Sequence, residues 1–164
     1  MYGGENSKWF TLFPEWDYRF LVDDGAGGTD MDSRLAFFYV ATVNTPAMVW
    51  RIPGVGSQYA IIARDANGEW FDGDKTYTLR IPANVPAKNF WSFVVYDPQT
   101  RSMLQTPDQK FPSVNSMRED LRTDPDGSVL LTIGPQQPAE GEGNWIQTRP
   151  QKSWFAILRL YGPE

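Results

Sequence analysis

The chain has 164 residues, enough to bury one core of its own, and is 41% hydrophobic and 15% aromatic, with seven Trp, seven Tyr and ten Phe. It contains no Cys and no His, which excludes disulfides, thiol chemistry, the usual Ser and Cys triads and the commonest zinc and non-haem iron ligands. A net charge of -5 with scattered basic residues argues against nucleic acid, whose phosphates require a concentrated basic surface.

The first segment, residues 1–28, is rich in aromatics (Trp9, Phe10, Phe13, Trp16, Tyr18, Phe20) without a clean period. So apolar a stretch is expected to be buried on the domain or on a partner, with residues 29–164 forming the domain itself. Its opening, MYGGENSKWF, has neither the charged start nor the apolar run of a signal peptide. No run of eighteen apolar residues exists anywhere, so no membrane span is expected. After a glycine-rich loop at 23–28, Thr29 and Asp32 resemble a capping box with Asp in place of Glu. Met31, Leu35, Phe38 and Thr42 then fall at helical spacing. These predict a helix over 30–43, ended by Asn44-Thr45-Pro46; it is apolar nearly all round, so it is expected to pack between two surfaces.

Beyond Pro53 the pattern changes to short strands and turns. Strands are predicted at 58–64, 69–71, 75–81, 90–96, 102–105, 129–133, 145–148 and 154–161. Asp65-Ala66-Asn67-Gly68 is a hairpin turn with Gly68 available for positive φ. Tyr77, Leu79 and Ile81 alternate with Thr76, Thr78 and Arg80, the period of a half-buried strand. Trp91, Phe93 and Val95 alternate with Ser92, Val94 and Tyr96, so both faces of that strand are fairly apolar and it belongs inside a sandwich rather than at its rim. Residues 107–117 read as irregular and 134–144 as a mobile Pro/Gly/Glu loop. Together these predict an all-β, jelly-roll-like antiparallel β-sandwich with one flanking α-helix near residues 30–43.

Three long phrases, ARDANGEWFDGDKTY, KTYTLRIPANVPAKNFWSFVVYDPQTRSMLQT and GNWIQTRPQKSWFAILRLYGP, resemble one family. It is the second domain of a bacterial two-part protein built from the paired domains of unknown function numbered 1254 and 1214. The resemblance is strong from about Gln58 to Pro163 and weaker from Thr29 to Val55. It implies a jelly-roll-like sandwich and a periplasmic or cell-envelope setting, and it brings no reaction and no catalytic residues. Family members carry a large N-terminal domain and continue past the Leu160-Tyr161-Gly162-Pro163 phrase, so this chain is expected to be a fragment or a truncated paralogue.

Candidate chemistry is sparse. The acids Asp23, Asp24, Asp30 and Asp32 suit a calcium ion, or simply the dipole of the helix they precede; the helix-cap reading is preferred. Asp65 to Glu69 superficially resembles the start of a calcium loop but lacks the later Glu, so a turn is expected there too. No metal and no cofactor are expected. Among the tryptophans, Trp91 and Trp154 read as core, whereas Trp70 in a turn-flanked strand and Trp145 after a flexible loop read as accessible ligand contacts. Arg159 shares a strand face with Phe155, Ile157 and Tyr161; it is expected to pair with an acid on a neighbouring strand or to hold an anion. Without histidine, acid–base work would fall to carboxylates, most of which sit in turns.

Three functions follow. The first is a non-enzymatic envelope module that binds a small molecule or glycan, or supports assembly of a larger protein, through Trp70, Trp145 and Arg159. The second is a carboxylate-based enzyme acting on glycans, its site shared with a missing N-terminal domain. The third is a structural domain serving homo-oligomerisation.

Overall fold

Strand β3 (Ala87–Tyr96) is paired on both edges, and its last four residues, 93–96, are buried on both faces. In the computed structural model, which describes residues 6–11, 19–21, 27–41, 52–139 and 144–164, it is an interior strand of a four-stranded sheet. The order is β1 (Ser57–Ile62), β7 (Phe155–Pro163), β3 and β4 (Ser113–Asn115), antiparallel throughout. A second sheet contains β2 (Tyr77–Ile81), β5 (Val129–Gly134) and β6 (Trp145–Gln147) in that order. One helix, α1 (Met31–Ala41), precedes the strands. A β-rich sandwich with a single helix among the described residues is thus the architecture the sequence predicts.

The core follows from register. Trp91, Phe93 and Val95 lie opposite Leu160, Leu158 and Ala156, so alternate residues of both strands face inward. On the other sheet, Ile81, Leu79 and Tyr77 lie opposite Val129, Leu131 and Ile133. Phe93, Leu131, Ile133 and Ile146 are essentially sealed from solvent, and Phe71 stacks on Trp154 at 3.9 Å between ring centroids. Phe10 exchanges two 2.9 Å backbone hydrogen bonds with Ile61, which extends the sheet beyond β1.

Several expectations are corrected. The sandwich is not wholly antiparallel: β5 and β6 run parallel, because the chain between them crosses over instead of turning back as a hairpin. The predicted strands at 69–71 and 102–105 reduce to single bridges, Arg64 with Trp70 and Tyr96 with Met103. Conversely, the stretch read as irregular contains β4, three residues too short to show alternation. The helix cap lies one residue later than the Thr29 box. Asp30 accepts from the Ser33 amide at 2.9 Å and from its hydroxyl at 2.7 Å, and its carbonyl accepts from Arg34. These donors hold the Asp30 carboxyl below the usual carboxylate range.

Nor is α1 packed on all sides among the described residues. Only Phe37 is fully buried, against Phe20, while Met31, Leu35, Phe38 and Tyr39 are each more than half exposed. Asp23 and Asp24, the aromatics Phe13, Trp16 and Tyr18, the helix end at 42–46 and residues 140–143 lie outside the described residues.

The Asp65 hairpin forms as expected. The Asp65 carboxylate accepts from the amides of Asn67 and Glu69, and Gly68 adopts φ 86°. That carboxylate is occupied by its own turn, the outcome the residue pattern favoured.

Candidate functional site

Trp70 stands at the far side of this hairpin, 60% exposed. Arg64, its bridge partner, donates to the Gly68 carbonyl at 3.0 Å and places its guanidinium 3.8 Å from the indole ring centroid. A cation–π contact of that length fixes the ring. The indole also borders a hollow of about 560 Å³ that Arg64 does not line.

This hollow lies between the end of α1 and the β1–β7 edge of the sandwich. Tyr39 and Val40 come from the helix, Ile61 and Ala63 from the end of β1, and Trp154 and Phe155 from the start of β7. Arg101 completes the rim. It follows the Asp97–Thr100 turn with φ 61°, a left-handed conformation rare for a residue with a side chain. Its guanidinium donates to the Tyr39 carbonyl at 2.6 Å and lies 5.1 Å from the Tyr39 ring centroid. Tyr39 in turn donates its hydroxyl to the Pro98 carbonyl at 3.2 Å. The carbonyl end of a helix attracts such a donor, and the pair ties α1 to the turn. At the wall, Trp154 is 3% exposed and its indole N–H has no hydrogen-bond partner among the described residues.

A second hollow, about 530 Å³, opens between the sheets and is also bordered by Trp154, with Phe71, Tyr77, Leu79 and Trp9. Asp65 is its single lining acid among the described residues. A third, about 180 Å³, holds the ion pair of Lys152 with Asp97. Burial pushes the Asp97 carboxyl up, but the Lys152 ammonium and the amides of Gln99 and Thr100 outweigh it and hold the group below the usual carboxylate range. A depressed folded value means that the stabilisation is complete above the unfolded carboxylate pKa of about 3.9 and is lost as pH falls through the folded one. Acid titration of the melting temperature should therefore show a shallower fall for Asp97→Asn than for the wild type. Parallel acid limbs would remove Asp97 from this account.

The three residues predicted for ligand contact do not converge. Trp70 is accessible as expected. Trp145 is buried, 9% exposed, and its indole N–H donates to the Gly134 carbonyl at 3.0 Å. The crossover that makes β6 parallel to β5 brings it there, so this side chain ties the end of one strand to the next. Arg159 lies on the outer face of the four-stranded sheet, opposite Tyr59 on β1 and Ser92 on β3. Its expected acid partner is absent among the described residues. The guanidinium donates to the Tyr96 hydroxyl and sits 5.7 and 5.8 Å from the Tyr59 and Tyr96 ring centroids. Burial opposes its charge, but the phenols of Tyr96, Tyr161 and Tyr59 more than offset that and raise its pKa; burial likewise raises that of Tyr96. Tyr39 and Arg101 were missed as site residues: the first sits in an apolar run that reads as buried, the second just after a turn.

No curated protein matches the chain. Among solved structures it is similar to the VPA0106 protein from Vibrio parahaemolyticus, with 24% identity over 90% of this chain and 35% of that one and a TM-score of 0.61. It is also similar to an uncharacterised protein from Burkholderia cenocepacia, with 19% identity over 78% of this chain and 34% of that one and a TM-score of 0.43. The likeness to the Vibrio protein is one of fold, and the chain spans well under half the length of either structure. A family model described as "Protein of unknown function (DUF1214)" matches residues 56–164, which take in every strand of both sheets, and the chain therefore belongs to the DUF1214 family.

Proposed function

We propose that this domain is a non-catalytic binding module that takes a small molecule in the hollow between α1 and the β1–β7 edge. The observation that carries the reading is Trp70, a large exposed aromatic that lies against Arg64 and borders the hollow. The volume, about 560 Å³, falls within the range of roughly 300–1,000 Å³ usual for small-molecule sites. Few polar groups line it, which suits a flat apolar ligand better than a glycan, whose hydroxyls require many partners. The glycosidase alternative loses ground because it needs two carboxylates about 5–10 Å apart across a cleft. None of the three hollows is lined by two acids among the described residues. The envelope setting rests on the resemblance to the paired 1254/1214 proteins.

Assembly is the second reading, and the exposed Met31, Leu35 and Phe38 of α1 favour it. Such a face suits an N-terminal domain of the paired type or a second copy of the chain.

A thermal-shift screen against flat apolar molecules and glycans tests the binding reading. Trp70→Ala should weaken any hit by about tenfold or more, the worth of one good aromatic contact, and leave the unliganded melting temperature nearly unchanged. Hits that bind the variant as tightly as the wild type would move the site elsewhere.

A further inference from the structure

The hollow has a polarity as well as a shape. No acid lines it among the described residues, and guanidinium groups flank it at two places: Arg64 behind Trp70, and Arg101 on the rim. In a protein of net charge -5 that is a local reversal of sign. Arg101 forms no ion pair among the described residues, and its bond to the Tyr39 carbonyl engages only one of a guanidinium's five N–H groups. Clamping the helix accounts for that one bond. It does not account for a side-chain-bearing residue in a conformation that glycine adopts freely. Trp154, which borders this hollow and the second one, has a buried N–H with no acceptor among the described residues, a deficit that native structures rarely leave unfilled.

We infer that the ligand is a ring-bearing apolar molecule with one anionic group, its ring against Trp70 and its anion at Arg101. This rests on the binding reading above and adds the chemical class to it. The aromatic wall supplies area without direction, and Arg101 supplies direction, because a guanidinium fork matches a carboxylate in geometry as well as charge.

Calorimetric titration of the chain with naphthalene-2-carboxylate and with naphthalene-2-carboxamide, its neutral isostere, tests the inference. The carboxylate should bind at least about tenfold more tightly than the amide. That preference should shrink to about twofold in Arg101→Gln and in Arg101→Gly, with amide binding unchanged. The glycine variant suits the φ of 61°, and the glutamine variant retains a donor for the Tyr39 carbonyl, so one of the two remains folded if the other does not. Equal binding of both probes, still dependent on Trp70, would overturn the anionic class and leave the binding reading standing. A preference that survives in both Arg101 variants would overturn the assignment of Arg101. No heat from either probe, or heat that Trp70→Ala leaves intact, would overturn the inference and the binding reading together.

Discussion

Trp91→Ala is expected to lower stability by about 3–5 kcal/mol, the range for emptying a large aromatic site in a packed core. Trp91 is 7% exposed and sits on the interior strand of the larger sheet, facing the other sheet's Leu131 row. Its neighbours on both edges are held by ladder bonds, and its backbone N–H and carbonyl are engaged by Ser116 at 3.1 Å each. Such surroundings collapse poorly around a void, so the upper part of the range is expected. Urea denaturation measures the effect as a shifted midpoint at constant slope. An unchanged midpoint would mean that the inward face of β3 has been assigned to the wrong side.

The second large effect concerns the smallest side chain. Gly73→Ala is expected to cost about 3 kcal/mol by overpacking. An added Cβ would collide with the carbonyl oxygen of Arg149 and come within 2.6 Å of that of Lys152. Both are backbone atoms, and the loop they belong to is stitched down. Gly73 donates to the Lys152 carbonyl at 2.8 Å, and its own carbonyl accepts from the Thr148 hydroxyl at 2.9 Å. Space, not backbone conformation, demands glycine here. Because the collision lies beside Lys152, the variant should also flatten the acid dependence assigned to Asp97. A melting temperature within a degree or two of wild type would show that the two loops separate freely.

What the sequence revealed divides along a physical line. Alternation within one strand is a local property, so the inward rows of β2 and β3 and the Asp65 turn were legible. The parallel placement of β6 was not, since a pairing partner across a crossover leaves no mark on the residues it joins. Trp145 was misplaced for that reason, its burial depending on where β5 ends. Arg159 shows a subtler limit. Its face was legible, but a phenol hydroxyl also accepts from a guanidinium, and the search for an acid overlooked Tyr59 on β1 and Tyr96 on β3. The site suffered most. Trp70 was recognisable because a turn-flanked aromatic stands out, whereas Tyr39 and Arg101 acquire meaning only when a helix and a distant turn meet.

The order β1-β7-β3 within the larger sheet also constrains how the molecule is made. Ser57 waits for Tyr161, and Trp91 waits for Leu160, so the strand that joins these two emerges from the ribosome after both. Until it does, β1 has no neighbour on that side and one edge of β3 has no partner. Assembly therefore depends on distant pairings, which close slowly and leave a nascent chain open to aggregation. A cell that produces this domain faces its greatest hazard during the interval between the synthesis of β3 and that of β7.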